Sequence, residues 1–116
     1  MVLAYVGLGA NLGDRRAALT QAVEALRGLP DSRVPQVSTI REYAAVGGPP
    51  QPPYLNAVAA LETALAPRTL LQQLHAIETA AGRPRPDPVR WGPRSLDLDL
   101  LLYGDEQIAT DDLVIP

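Results

Sequence analysis

The sequence of 116 residues is long enough for one hydrophobic core but not for two, so we expect a single domain over residues 1–116. Apolar residues make up 47% of it, yet no apolar run approaches the roughly 20 residues of a membrane helix. A net charge of −3 argues against a general nucleic-acid binder, and the absence of cysteine excludes disulfides and thiolate metal sites. We therefore expect a cytoplasmic enzyme or binding protein without a nucleic-acid or membrane partner.

The first half of the chain predicts a strand, a helix and two more strands. Residues 2–9 form a continuous β-favouring run. Asp14 is placed to cap a helix that ends near Gly28 and whose apolar residues recur at helical spacing: Leu19, Ala22, Val23 and Leu26. Strands are predicted over residues 34–43 and 54–65, on either side of a proline-rich loop at residues 47–53. The later strand alternates Leu55, Ala57 and Ala59 with Asn56, Val58 and Ala60.

The second half predicts a helix, a long loop and a fourth strand. Pro67 suits the first turn of a helix that ends before Gly82, with an apolar stripe of Leu70, Leu71, Leu74, Ile77 and Ala81. Residues 83–94 form a loop rich in proline and arginine, residues 95–103 a strand, and residues 106–108 the start of a short further strand. The order β-α-β-β-α-β is that of a ferredoxin-like α+β two-layer sandwich. Two helices would cover one face of an antiparallel sheet and leave the other face open to a ligand.

Two aspartates in the fourth predicted strand indicate a metal site. Side chains alternate along a strand, so Asp97 and Asp99 share one face, about 6.6 Å apart along the strand, while leucines occupy the other. Carboxylates at this spacing can hold Mg²⁺ together with substrate phosphates. The alternative is the polar outer face of an ordinary strand. Because strands are depleted in aspartate and the two charges repel each other, we favour the cation.

The loop before this strand concentrates positive charge. All ten basic residues of the chain are arginines, and four of them lie within twelve residues: Arg83, Arg85, Arg90 and Arg94. Arg90 and Arg94 stand just before the aspartates. Because one guanidinium group can bind two phosphate oxygens at once, these arginines predict a binding site for a polyphosphate. Surface solvation explains Arg83 and Arg85 equally well. Trp91, the only tryptophan, would either contact a flat ligand or belong to the core.

Two glycines in VGLGANLGD superficially match a dinucleotide-binding fingerprint. The third glycine of that motif is misplaced, and the following helix does not lead into a parallel sheet. We therefore discount a dinucleotide site at Gly7 and Gly9.

Four segments together resemble the 6-hydroxymethyl-7,8-dihydropterin pyrophosphokinase family of the folate pathway. They are AYVGLGANLGDR (4–15), GGPPQPPYLNAV (47–58), IETAAGR (77–83) and RWGPRSLDLDLLLYGD (90–105). The resemblance covers essentially all 116 residues, and we expect the C-terminal part of the family pattern to be absent. It implies transfer of pyrophosphate from ATP, the co-substrate, to the pterin hydroxymethyl group with release of AMP, by a monomer.

The resemblance also implies a role for each matching residue. Asp97 and Asp99 would hold two Mg²⁺ ions, and the residues assigned to catalysis are Arg83, Arg85, Arg90, Arg94, Asp97 and Asp99. Tyr54 and Trp91 would sandwich the pterin and Asn56 would bind its polar edge, while the loop after the second strand would contribute mainly backbone contacts through Tyr43, Ala44 and Val46. ATP would contact Leu71, His75, Glu78, Arg85, Trp91, Arg94 and Leu100. Relatives often carry glutamine where His75 stands, so a solvent-exposed histidine is the alternative there.

Two other functions share this predicted fold. An RNA-recognition module stacks bases on sheet aromatics, but phenylalanine is absent here and the net charge is acidic. A non-catalytic regulatory domain that binds a small ligand would not need paired aspartates beside an arginine-rich loop. We therefore favour the pyrophosphokinase.

Overall fold

The computed structural model describes residues 1–11, 14–43, 53–81 and 96–105, together with short strands at 108–109 and 114–115. The elements follow in the order β1 (Val2–Ala10), α1 (Arg15–Arg27), β2 (Ser32–Val37), β3 (Arg41–Tyr43), β4 (Tyr54–Thr63), α2 (Pro67–Ala80), β5 (Asp97–Tyr103), β6 (Ile108–Ala109) and β7 (Val114–Ile115). The first five strands form an antiparallel sheet in the order β2-β4-β1-β5, with β3 also paired to β4. The predicted α+β, ferredoxin-like two-layer sandwich is confirmed.

The core lies between the sheet and the two helices. Alternate residues of β1 are buried, and they pack with leucines of both helices and of β5 in one cluster that includes Val6, Leu8, Leu19, Leu26, Leu70, Leu74 and Leu98. Residues at the intervening positions of the strands point to the opposite face. That face carries exposed groups such as Val58 and Leu101, so it is the open side of the sheet. In the described part of the chain, neither helix is both long and apolar enough to cross a bilayer.

Helix α1 begins and ends as its sequence predicts. The Asp14 side chain caps it by accepting a hydrogen bond from the Ala17 backbone N–H at 3.1 Å. Leu19, Ala22 and Leu26 are buried. The helix ends at Gly28, whose N–H bonds back to carbonyls of the last turn. The capping residue and the spacing of the apolar residues therefore fix this element locally.

Helix α2 differs from its prediction at one position of the apolar stripe. It begins at Pro67, and Leu70 and Leu74 are buried as expected. Ala81 is exposed, whereas Glu78 is fully buried. A carboxyl oxygen of Glu78 accepts a 2.7 Å hydrogen bond from the backbone N–H of Leu98, so this buried polar group is hydrogen-bonded to β5. Gly82, predicted to follow the helix, lies outside the described residues.

The predicted second strand over residues 34–43 is two strands, because Ser38 interrupts it. The Ser38 N–H donates to the Val58 carbonyl, and its hydroxyl accepts from the Val58 N–H, each at 2.8 Å. A side-chain oxygen thus takes the place of a backbone carbonyl in the ladder. A register shift between Arg33 and Gln36 coincides with Pro35, which has no N–H to donate.

The other strand boundaries differ slightly from the prediction. β4 ends at Thr63 rather than at residue 65, and β5 begins at Asp97, with Ser95 outside the described residues. The short strand predicted at 106–108 lies at 108–109, where it pairs with a strand at 114–115 that the sequence did not predict.

Candidate active site

A groove of about 390 Å³ crosses the open face of the sheet. It spans β4, β1 and β5, and its lining includes Gly7, Gly9, Tyr54, Asn56, Val58, Asp97, Asp99 and Leu101. Four predicted site residues from two distant parts of the sequence therefore come together here: Tyr54 and Asn56 from β4, and Asp97 and Asp99 from β5.

The strand register explains how the groove forms. On the central strand β1, Gly9 pairs with Asn56 of β4 on one side and with Asp97 of β5 on the other. Gly7 pairs in the same way with Val58 and Asp99. Neighbouring strands lie about 4.8 Å apart, so the outer two strands are separated by about 10 Å of glycine backbone. Because glycine has no side chain, the middle of this face is a trough between the β4 and β5 side chains.

The two aspartates face this trough. Asp97 is half-buried and Asp99 exposed, while the adjacent Leu96, Leu98 and Leu100 are buried, which confirms the predicted alternation. Both carboxylates line the groove above the side-chain-free backbone of Gly7 and Gly9, and they fit a hard cation with oxygen ligands. Among the described residues no group of three or more acidic or histidine side chains is suited to a metal. A cation held here would therefore need further ligands besides these carboxylates.

On the opposite wall, Tyr54 and Asn56 lean from β4 over β1. Both side chains are half-buried, and their atoms lie within 4 Å of the position that a Cβ on Gly9 would occupy. An aromatic ring and a carboxamide thus face two carboxylates across the same trough. A flat polar ligand could stack on the ring and hydrogen-bond to the amide.

The described residues among those predicted to contact the nucleotide form a second group, outside the groove. Leu71, His75 and Glu78 recur at i, i+4 and i+7, so they share one side of α2. Leu71 packs against the core, His75 is half-buried, and Glu78 reaches β5 through its bond to Leu98. Leu100 is buried on the helix side of β5. The two groups therefore meet at β5, whose open face carries the aspartates.

Several predicted site residues cannot be placed in the groove. Arg83, Arg85, Arg90, Trp91 and Arg94 lie outside the described residues, as do Ala44 and Val46. Their roles stay predictions. Tyr43 ends β3, where it pairs with Tyr54 at the head of β4.

Three residues that shape the site were not assigned to it from the sequence. Gly7 and Gly9 form the floor of the groove, and the signal was present in the sequence: glycines two apart in a buried strand share one face and mark a close approach. Arg15 donates to the Pro53 carbonyl at 2.8 Å and lies 3.7 Å from the Glu42 carboxylate. It thereby ties the start of α1 to the chain just before Tyr54. No local pattern indicated that contact.

Comparison with known proteins gives a consistent match. The family model for 7,8-dihydro-6-hydroxymethylpterin-pyrophosphokinase (HPPK) matches residues 5–116. The chain belongs to the HPPK family. It is 44% identical to the 2-amino-4-hydroxy-6-hydroxymethyldihydropteridine pyrophosphokinase of Pseudomonas aeruginosa, over 97% of this chain and 68% of that protein. The proteins of the same name from Bacillus subtilis and Haemophilus influenzae are 43% and 42% identical, over 98% and 100% of this chain and 67% and 71% of theirs.

The match covers both walls of the groove, because residues 5–116 include β1, β4 and β5 in full apart from the first residues of β1. The HPPK resemblance predicted from the sequence is confirmed. Family membership favours neither the RNA-recognition module nor the regulatory domain.

Proposed function

We propose that the chain transfers the pyrophosphoryl group of ATP to the hydroxymethyl oxygen of 6-hydroxymethyl-7,8-dihydropterin, with release of AMP, in folate biosynthesis. HPPK membership supports the reaction. The observation that supports the location of the reaction is the groove over Gly7 and Gly9. This groove places an aromatic ring and a carboxamide opposite two aspartates. These are the groups that a flat heterocycle and a phosphate-bound cation would require.

The β4 wall would bind the pterin. Tyr54 would stack on one face of the ring, and the Asn56 carboxamide, which offers both a donor and an acceptor, would pair with its polar edge. We assign the second stacking surface to Trp91. The loop after β3, with Tyr43, Ala44 and Val46, would add mainly backbone contacts.

The β5 wall would bind the phosphates. Asp97 and Asp99 are the residues that would hold two Mg²⁺ ions, since both carboxylates face the open trough. Bound Mg²⁺ would supply positive charge that offsets the charge of the phosphates. Arginine guanidinium groups would bind the remaining phosphate oxygens, and we assign this to Arg83, Arg85, Arg90 and Arg94.

The nucleoside end of ATP would lie toward α2. Leu71, His75 and Glu78 share one side of α2, and Leu100 lies on the helix side of β5, the strand that carries the aspartates. We assign these four residues to the nucleotide, together with Arg85, Trp91 and Arg94. The chain would then hold the pterin at β4 and the triphosphate at β5, with the reacting groups meeting over Gly7 and Gly9.

Binding of the pterin at β4 and of the triphosphate at β5 suits the chemistry of phosphoryl-type transfer. The transition state is loose, so the protein contributes by positioning the two substrates and by neutralising charge. The described side chains do this from rigid strands rather than from loops, which keeps the two walls at a fixed separation. A cytoplasmic monomer remains our expectation for the protein.

The test is AMP release from ATP and the pterin by an Asp97→Ala variant. We expect loss of metal-dependent activity with the fold retained, because Asp97 is only half-buried. Asp105→Asn is the matched control, since Asp105 is an exposed acid just beyond β5 that does not line the groove, and it should keep full activity.

Full activity in Asp97→Ala would refute the metal assignment. Calorimetry with a non-hydrolysable ATP analogue, with and without Mg²⁺, separates the enzyme from a non-catalytic ligand-binding domain. The enzyme should require the metal for tight binding, whereas a regulatory domain should not.

A further inference from the structure

Of the two glycines on the floor of the groove, Gly9 leaves less room for a side chain, because the Asn56 side chain of β4 lies over it. We propose that Gly9 is a positioning residue: its missing Cβ leaves the space in which the Asn56 carboxamide extends over β1. This proposal deepens the proposed function and rests on it, in that Asn56 is the residue assigned to the polar edge of the pterin.

The distances show how little room there is. A Cβ built on Gly9 would lie 2.8 Å from the Asn56 Oδ1, 3.9 Å from its Cγ and 3.4 Å from Cδ1 of Tyr54. Real Cβ atoms essentially never approach another heavy atom to less than 3.0 Å, so one of the two groups would have to move. The atom in the way is the carboxamide oxygen itself. A methyl group at position 9 would therefore displace the part of Asn56 that recognises a ligand.

Gly7 offers a comparison within the same groove. The atoms nearest to a Cβ on Gly7 would be those of the Leu101 side chain, with Cδ1 at 3.3 Å and Cδ2 at 3.6 Å. Those atoms are the flexible, apolar end of a side chain that is 38% exposed, so it can turn away without losing a hydrogen bond. The two glycines share the floor of the groove, but the nearest atom to the added Cβ is an apolar methyl group at Gly7 and a carboxamide oxygen at Gly9.

A remote glycine supplies the matched control. Gly28 ends α1 with φ of −87°, where alanine is equally allowed. A Cβ there would meet only backbone carbonyls at 3.5 and 3.7 Å, which is ordinary contact. Gly28→Ala should therefore leave both the groove and the activity unchanged.

The first measurement needs no ligand. In NMR spectra of the full chain, the side-chain amide signals of Asn56 should shift in Gly9→Ala and stay in place in Gly28→Ala. The second measurement is calorimetry with 6-hydroxymethylpterin. Losing one well-placed polar partner weakens binding by roughly 10- to 100-fold, which we expect for Gly9→Ala and for Asn56→Ala alike. The double variant should bind no more weakly than either single variant, and Gly7→Ala should lose less.

Binding of an ATP analogue with Mg²⁺ should stay within about twofold of the unmodified chain, since sites without shared contacts behave independently. Unshifted Asn56 signals in Gly9→Ala would overturn the proposal. So would additive losses in the double variant, because Gly9 would then act without Asn56.

Two further outcomes are separable. If Gly9→Ala does not fold, the test uses Asn56→Ala and the double variant. The added methyl group has room once the carboxamide is gone, so the melting temperatures of these two variants should agree. A lower melting temperature for the double variant would overturn the proposal. If the unmodified chain fails to bind the pterin, the proposed function is wrong, while the NMR comparison still decides whether Gly9 positions Asn56.

Discussion

Replacing Glu78 should destabilise the sheet edge on which the aspartates lie. The Glu78 side chain is fully buried, and its carboxylate accepts a 2.7 Å hydrogen bond from the N–H of Leu98, which is itself 4% exposed. Leu98 stands between Asp97 and Asp99. Glu78 therefore connects α2 to the segment of β5 that faces the groove.

Glu78→Ala and Glu78→Gln should lower the free energy of unfolding by different amounts. Hydrogen bonds to charged groups contribute about 1.5–3 kcal/mol, and a buried N–H left without an acceptor costs about 1–3 kcal/mol. Glu78→Ala removes the acceptor and leaves a cavity, so we expect a loss of about 3 kcal/mol in the free energy of unfolding. Glu78→Gln keeps a carbonyl oxygen within reach of Leu98, so it should lose only about 1 kcal/mol.

Thermal and denaturant unfolding measure the difference. In a domain of this size 1 kcal/mol corresponds to roughly 4 °C, so the melting temperature should fall by about 12 °C in Glu78→Ala and about 4 °C in Glu78→Gln. Glu24→Ala is the control, because Glu24 is exposed on α1 and, among the residues that the structure describes, forms an ion pair only with Arg27, at 3.5 Å. It should change stability by less than about 0.5 kcal/mol. If Glu78→Ala has the same melting temperature as the unmodified chain, the hydrogen bond to Leu98 does not hold β5 in place.

Three other predictions concern the helix cap, acid stability and the polyphosphate site. Asp14→Ala removes the cap of α1 and should cost about 1 kcal/mol in urea unfolding, while Asp14→Ser should restore most of it. The hydrogen bond from Arg33 lowers the pKa of Glu62, so the pair stabilises the fold above the ordinary glutamate pKa of about 4.3, and that stability is lost as the pH falls through the lowered pKa. Glu62→Gln should accordingly flatten the acid side of a melting temperature–pH curve, and an unchanged curve would contradict the pairing. Arg94→Ala should slow AMP release by about 100-fold, with Arg94→Lys in between because a point charge cannot reproduce the guanidinium fork; wild-type rates in the lysine variant would remove Arg94 from the polyphosphate site.

Much of the fold could be predicted because it depends on local patterns. The cap at Asp14 and the break at Gly28 bound α1. Alternation along β4 and from Leu96 to Leu100 placed Asn56 and the aspartates on the open side of the sheet. Each of these signals lies within a few residues of the element that it specifies. The candidate site was predictable in the same way, as a set of residue types with known phosphate and metal chemistry.

Contacts between distant segments could not be predicted from such patterns. Apolar periodicity placed Ala81 in the helix stripe, but Glu78 is the buried residue, because only the folded chain brings the Leu98 N–H to it. Likewise, the sequence predicted Ser38 as part of one continuous strand, whereas in the structure its hydroxyl accepts a hydrogen bond from the Val58 N–H and the strand is interrupted there.

The sequence by itself determined which side of β4 carries Asn56 and which side of β5 carries the aspartates, since side chains alternate along a strand. Only the tertiary structure decided that Gly9 stands between Asn56 and Asp97 and that Gly7 stands between Val58 and Asp99. Strand order and register are set by pairing between segments more than 40 residues apart, and a slip of one residue would turn each of these side chains to the opposite face. The groove therefore exists because β4 and β5, each with polar side chains on one face, meet the glycines of β1 in one register.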